Sequence, residues 1–417
     1  MEILPKKCIE GEINIPSSKS YAQRAIALAS LSSSSVVIHN LTNSDDVIAA
    51  QGIVKSIGAK FSRNGAELRF LKGINFDSKE EVFINSKESG LSTRLFSAFS
   101  LLFEQEFLLN GEGSILQRTM EMVIDGLEPF GKVIKSNELK LPLSISGEVT
   151  NLNVEIDGSI SSQFLTGLLI VAPFLNSDTR IQVRNLKSKP YIEMTIDLMR
   201  FFGLKVEHEN FKTFNIKGNQ SLDKPINYKV EGDWSAASFH VVAAAIGGKV
   251  KLSGLSENSR QGDKSILDAV KLAGARVNWK KGDLYVEKSE LNHFEFDATE
   301  CPDLFPPLAV LAAYCNGRSR IKGVNRLKHK ESDRGITLQK EFFKIGVKIE
   351  LIADEMIIYG NENQSISEEV TFSSHNDHRI AMAMSLFSIA AKSSIFIDSP
   401  NAIDKSYPDF YKDFLTI

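Results

Sequence analysis

Strongly apolar stretches recur along this chain, each preceded by a short alternating segment and a polar turn. Between Leu152 and Glu207, NLNVEID alternates, DGSISSQ is polar, and FLTGLLIVAPFL is apolar throughout. TRIQVRNL then alternates again, KSKPY is polar, and IEMTIDLMRFFG places apolar residues at helical spacing. Period-2 segments predict half-buried strands, and 3.6-residue spacing predicts an amphipathic helix. The expected order is strand, helix, strand, helix, strand, with one more strand to follow. A wholly apolar first helix is a buried one, and the amphipathic second helix is external.

The same order is written elsewhere. One copy runs INIP, SSKSYAQRAIALASL, VVIHNL, NSDDVIAAQGIVKSIG, AKFSR; a later one begins YKVEG, DWSAASFHVVAAAIG, GKVKLSGL. Others contain ECPDLFPPLAVLAAYC and SSHNDHRIAMAMSLFSIAA as their apolar helices, and the copy around VFINSKESGLSTRLFSAFSLL is the loosest. Gly58, Gly131, Gly203, Gly274 and Gly346 mark the helix ends at intervals of 73, 72, 71 and 72 residues. Glycine suits the left-handed position that closes a helix. A fixed period means one supersecondary unit copied repeatedly. The prediction is an α/β (α+β) protein of six repeated βαβαββ-type units, three in each of two domains.

Composition narrows the class. The chain has 417 residues, 42% hydrophobic and 24% charged, with net charge -3. That length favours two domains, and that balance argues against a general nucleic-acid binder while leaving room for a local basic cleft. No apolar run reaches the length of a membrane span, and MEILPKKCIEGEINIP lacks a leader pattern, so no membrane partner is expected. Cys8, Cys301 and Cys315 are scattered without metal-ligand spacing, which favours a cytoplasmic protein with structural thiols. A monomer is the default expectation.

The repeats share a frame, but their polar turns differ. Helix N-termini favour anions. Lys19, Arg24, the run Ser161–Gln163 and Arg379 sit at first-helix starts, and Arg118, Lys330, Arg334 and Lys405 sit at other turns. If the turns converge, they suit a small ligand carrying several negative charges.

At this point the motifs resemble a known family. PSSKSYAQRA, DGSISSQFLTGLL, SKPYIEMT, NSRQGD, KESDR, NDHRIAMA and DKSYPDFYKDF, in that order, are similar to the signatures of 5-enolpyruvylshikimate-3-phosphate synthases. The resemblance implies a two-domain inside-out α/β barrel, with residues 19–231 as the first domain, 1–18 plus 232–417 as the second, and an active site in the cleft. It implies transfer of enolpyruvyl from phosphoenolpyruvate to the 5-hydroxyl of shikimate 3-phosphate, without metal or cofactor. Lys19, Ser20, Arg24, Ser161, Ser162, Gln163, Ser188, Tyr191, Asp303 and Lys330 match positions for shikimate 3-phosphate. Lys19, Gly90, Arg118, Gln163, Glu331, Arg334, Arg379 and Lys405 match positions for phosphoenolpyruvate. Asp303, Glu331 and Lys19 match the proton-transfer groups: addition–elimination needs acid–base groups at the hydroxyl, assigned to Asp303, and at the methylene, assigned to Glu331 with Lys19.

Taken alone, these residues have plainer readings. Lys19, Arg24 and Arg94 would be solvated helix starts, and Ser161, Ser162, Ser332 and Asp303 would be helix caps. Glu331 and Arg334 would be an i, i+3 pair. His375 and His378 lack partners for a metal, and His378 shapes the turn before Arg379. The chain also departs from the family pattern. Ser17 replaces a frequent glycine, and Thr119-Met120 follows Arg118 where proline is usual. Glu88-Ser89-Gly90-Leu91-Ser92 carries Leu91 where many members have threonine, which predicts weakened inhibition by glyphosate. A sister transferase acting on UDP-N-acetylglucosamine is the nearest rival, but GEGSILQR lacks that family's cysteine or aspartate. A non-catalytic anion-binding protein is the other rival. The retained Asp303 and Glu331 speak against it.

Overall fold

The computed structural model describes residues 1–74, 80–328 and 330–417. The chain divides into two compact units, Ser17–Val230 and Met1–Pro16 with Glu231–Ile417. The crossings come slightly earlier than expected, for local reasons. Ser18 accepts the Tyr21 N–H at 3.4 Å and so caps the helix Lys19–Ser30, while Ser17 Oγ accepts the Thr42 N–H at 3.0 Å. Both serines therefore go with the helix they precede. Glu231 goes with the other unit, where Gln261 Nε2 donates to it at 2.6 Å.

Among the described residues there are five four-stranded sheets and one of three strands. The sheet Asn153–Asp157, Thr179–Arg184, Thr213–Ile216, Glu207–Glu209 shows the plan. Its first two strands pair in parallel and the rest antiparallel. The helix Gln163–Val171 makes the parallel crossover, and Lys189–Phe202 leads into the hairpin. Helices of the first kind are buried on all sides: Gly90–Ser97, Phe305–Ala313 and His378–Ser385 have no exposed position. Such helices are held by apolar burial, about 1.5–3 kcal/mol for each large side chain taken from water.

Two strands do not belong to the copies that precede their helices. Ile9–Asn14 pairs in parallel with Gly248–Ser253, from Gly248 opposite Ile9 to Ser253 opposite Asn14. Ile226–Lys229 pairs in parallel with Val36–His39. The strand that ends in the segment INIP thus completes the copy of Trp234–Gly247, and the strand that ends in the segment YKVEG completes the copy of Lys19–Ser30. Each strand is separated from the helix that follows it by a crossing into the other unit, so it pairs with the unit in which it lies. The last copy is also irregular. Val370–Phe372 and Ile395–Ile397 pair in parallel, and Glu2–Ile3 from the chain start pairs antiparallel with the latter.

The five periodic glycines all take left-handed φ: Gly58 96°, Gly131 99°, Gly203 95°, Gly274 103° and Gly346 73°. At Gly203 the N–H bonds the Arg200 carbonyl and the Leu204 N–H bonds Met199, each at 2.9 Å, closing the helix. Each unit has its own hydrophobic core.

Candidate active site

The residues singled out in the sequence form two clusters, one in each unit. In Ser17–Val230 the helix Lys19–Ser30 supplies the first. Lys19 Nζ donates to Asp46 Oδ2 at 2.7 Å, and Asp46 lies in the first turn of Asp45–Ser56. Arg24 is not a solvated helix start: it is 1% exposed. Its Nε donates to Thr195 Oγ1 at 2.9 Å, and its Nη2 donates to Thr166 Oγ1 and the Tyr191 carbonyl, each at 3.3 Å. Its Nη1 donates to the Ser20 carbonyl at 2.8 Å. These acceptors are all neutral. Burial draws the Arg24 pKa down to about 10, with Tyr21 and Tyr191 opposing the shift. Ser188 opens the helix Lys189–Phe202 from a left-handed conformation, φ 57° and ψ 45°. A serine held there carries local strain, a feature common at ligand sites.

Next to this lies the Gly90 turn. Gln163, the first residue of its helix, accepts from Arg94 Nη1 at 2.8 Å, and its own N–H donates to Ser161 Oγ at 3.2 Å. Ser161 thus does serve as a capping group, whereas Ser162 makes no side-chain cap bond. A methyl group on Gly90 would lie 3.1 Å from Arg118 Nη1 and 3.2 Å from Arg94 Nη1. Gly90 therefore leaves no room for a side chain and lets the backbone pack closely against two guanidinium groups. Glu88 Oε2 steadies the loop that carries Arg118 by accepting from the Ser114 N–H at 3.2 Å and hydroxyl at 2.9 Å. Ser89 and Ser92 both donate to the buried Gln23 Oε1, at 3.1 and 2.8 Å, tying the Gly90 turn to the Lys19 helix. Leu91 points into the apolar core, 7% exposed.

The second cluster centres on Asp303. Lys330 Nζ donates to Asp303 Oδ1 at 3.0 Å, Arg334 Nη1 donates to the same oxygen at 2.8 Å, and Arg379 Nη2 donates to Oδ2 at 3.0 Å. Asp303 makes no side-chain cap bond to its helix. Burial would raise its pKa, but Arg379, Lys330 and Arg334 outweigh burial and the Glu331 charge and hold it well below the usual carboxylate range. Lys330 is pulled down by burial against the attraction of Asp303.

Glu331 and Arg334 do form an i, i+3 pair, at 2.6 Å, but the pair is only part of a larger structure. Arg334 is 1% exposed, and its Nε donates to the fully buried Asp377 at 2.7 Å. Burial opposes its charge, yet Asp377, Glu331 and Asp303 push its pKa upward. Asp377 also caps the helix His378–Ser385, accepting the Arg379 N–H at 3.0 Å. Lys405 Nζ is buried, makes no hydrogen bond among the described residues, and lies 3.8 Å from Glu331 Oε1. His375 pairs with Glu341 at 2.9 Å, and His378 is buried beside Asp377.

Several partners were not foreseen as such. Asp46, Thr166, Thr195, Asp377 and Ser235 each hold a residue that was, and Asp263 holds Ser235. Four of them stand inside the motifs already quoted: Thr166 in DGSISSQFLTGLL, Thr195 in SKPYIEMT, Asp263 in NSRQGD, Asp377 in NDHRIAMA. Those motifs were the available signal, but a motif does not say which of its polar residues supports which other.

Comparison with known proteins gives the lineage of the chain and its fold. A model of the family described as EPSP synthase (3-phosphoshikimate 1-carboxyvinyltransferase) matches residues 3–414. The 3-phosphoshikimate 1-carboxyvinyltransferase of Clostridium novyi (strain NT) is 38% identical over 423 residues, covering 99% of this chain and 96% of that one. That of Haemophilus influenzae (strain PittEE) is 34% identical over 423 residues, covering 99% and 97%. Among solved structures, an EPSP synthase from Acinetobacter baumannii superposes with TM-score 0.80 at 23% identity, covering 100% of this chain and 97% of that one. The enolpyruvyl transferase NikO from Streptomyces tendae superposes with TM-score 0.79 at 16% identity, covering 100% and 96%. The structural likenesses establish the fold, and the family match and the curated relatives establish the lineage: this chain belongs to the EPSP synthase (3-phosphoshikimate 1-carboxyvinyltransferase) family.

Proposed function

We propose how this chain's own residues carry out the reaction of its family. That reaction is transfer of the enolpyruvyl group of phosphoenolpyruvate to the 5-hydroxyl of shikimate 3-phosphate, with release of phosphate. The observation that carries the reading is the convergence of Lys330, Arg334 and Arg379 on the single carboxylate of Asp303. So many cations around one acid suit two polyanionic substrates and a proton acceptor in one place.

Under this reading Ser20, Arg24, Ser161, Ser162, Ser188, Tyr191 and Lys330 hold shikimate 3-phosphate. Gly90, Arg118, Arg334, Arg379 and Lys405 hold phosphoenolpyruvate, and Lys19 and Gln163 serve both. Asp303 takes the proton of the attacking hydroxyl. Its low pKa makes it a weak base while three cations hold it. Substrate anions that draw those cations away raise its basicity as the hydroxyl arrives. Glu331 and Lys19 exchange a proton with the methylene carbon: one is added as the C–O bond forms, and one is removed from the resulting methyl group as phosphate leaves. Lys405, with little of its donor capacity used, supplies positive charge to the donor substrate.

The reading includes a monomeric cytoplasmic enzyme; the free thiols of Cys8, Cys301 and Cys315 support that compartment. The test of the proton roles is turnover of Asp303→Asn and Glu331→Gln. Each substitution lowers kcat by roughly 10²–10⁴-fold if the residue moves a proton. Near-normal turnover in either variant removes that residue from the mechanism.

A further inference from the structure

Asp263 is 2% exposed, lies in the short turn Gly262–Ser265, and is assigned to neither substrate above. Its Oδ2 accepts the hydroxyl proton of Ser235, in the first turn of the helix Trp234–Gly247. Ser235 Oγ in turn accepts from Arg379 Nη2 at 3.2 Å. The same Nη2 donates to Asp303 Oδ2 at 3.0 Å, and Nη1 donates to the Asp303 carbonyl at 3.4 Å. The direction of this chain is dictated by its members. An arginine only donates, an ionised carboxylate only accepts, and a hydroxyl does one of each. With its proton committed to Asp263, Ser235 must present a lone pair to Arg379.

The base of the chain is held rigidly. Asp233 caps the Trp234 helix by accepting the Ala236 N–H at 3.0 Å. Gln261, two residues before Asp263, accepts the Trp234 N–H at 3.1 Å and donates to the Gly232 carbonyl at 2.8 Å. The turn that carries Asp263 and the helix that carries Ser235 are therefore fixed to one another. We propose that Asp263 and Ser235 are positioning residues for the donor substrate. They hold the Arg379 guanidinium at one rotation, so that it meets an anionic group of phosphoenolpyruvate when its contact with Asp303 is exchanged. The proposal rests on the assignment of Arg379 to phosphoenolpyruvate made above.

A merely structural role would be better filled by a neutral residue. The groups facing Asp263 include Ser235 and Asp233 from the Trp234 helix and its cap, Cys301 and Asp303 from the segment before Phe305, and Arg379. Burial and the Asp303 charge push the Asp263 pKa up to about 6, with Arg379 and the Ser235 bond opposing. A second carboxylate is thus kept near the first against an electrostatic penalty, as expected if its charge orients something.

The test uses the full chain with Asp263→Asn, Ser235→Ala and the double variant, measuring kcat and the KM of each substrate. Each single variant is expected to raise the KM for phosphoenolpyruvate about tenfold, the size of one lost charge-assisted contact, and to change the KM for shikimate 3-phosphate by less than about twofold. Because both act through one chain, the double variant should be no worse than the poorer single one. Unchanged KM for phosphoenolpyruvate in both singles, equal rises for the two substrates, or additive losses in the double variant would each overturn the proposal. Thermal melting identifies a misfolded variant, and Ser235→Ala, which removes one hydroxyl from a first helical turn, carries the test if Asp263→Asn fails to fold. A wild-type chain that forms no product sinks the underlying assignment; an active wild type with unmoved KM values sinks only the positioning role.

Discussion

Arg24 and Arg334 are equally buried, each 1% exposed, yet their surroundings are opposite. Arg24 donates to two threonine hydroxyls and two carbonyls and, among the described residues, meets no carboxylate. Arg334 donates to Asp303, Glu331 and Asp377. Burial lowers the pKa of the first, and three acids raise that of the second. A buried cation without a counter-ion is destabilising until an anion arrives, which suits the ligand role proposed for Arg24. A buried cation inside a set of carboxylates is part of the fold, and a ligand must compete for it.

The contrast is broken most severely at Arg334. Arg334→Met leaves Asp303, Glu331 and Asp377 without their shared cation, and removal of one partner from a buried ion pair costs about 3–5 kcal/mol. The expected result is loss of activity together with a large fall in Tm. Retention of the wild-type Tm would show that the cluster contributes nothing to the fold. Arg24→Met should do the reverse. It removes an uncompensated charge, so Tm stays near or above the wild-type value. Two or more charge-assisted contacts to shikimate 3-phosphate are lost, and its KM rises by roughly 100-fold. A marked fall in Tm with an unchanged KM would contradict the reading of Arg24.

Acid titration sharpens the comparison within the second unit. Asp303 has a depressed pKa. Its contribution to stability is present above the unfolded-state value, about 4, and is lost as pH falls through the lower folded value. Asp263 has a raised pKa, near 6. Its contribution is present below about 4 and is lost as pH rises through 6. Melting curves across this range should therefore show Asp263→Asn gaining on the wild type as pH rises, and at least matching it at neutral pH. A difference that shrinks with rising pH would reverse the assignment.

The smallest effect is expected at Leu91, whose side chain turns into the core while its neighbours Ser89 and Ser92 bind Gln23. Inhibition by glyphosate should be weaker than in a threonine-bearing relative, and Leu91→Thr should strengthen it. Equal inhibition constants for the two proteins would remove Leu91 from the explanation.

Much of this was legible in the chain. The apolar first helices, the amphipathic second ones and the glycine ends follow from local periodicity and from the left-handed conformation at Gly58, Gly131, Gly203, Gly274 and Gly346. The exchange of Ile9–Asn14 and Ile226–Lys229 was not. Both alternate, and both precede a buried helix, so neighbourhood in sequence suggests the wrong partner. Strand periodicity says that a segment is a strand and which face is buried; it does not say beside what. The cations of the site were readable because their motifs are specific. The acids behind them were not assigned: Asp46 and Asp377 hold Lys19 and Arg334 directly, Asp263 reaches Arg379 through Ser235, and such support depends on distances between segments far apart in the chain.

The most direct test of the account is phosphate release from phosphoenolpyruvate with and without shikimate 3-phosphate, followed by mass detection of the product. The account predicts release that depends on shikimate 3-phosphate and a product heavier by one enolpyruvyl group. Release that ignores shikimate 3-phosphate, or none at all with fully folded protein, would contradict it.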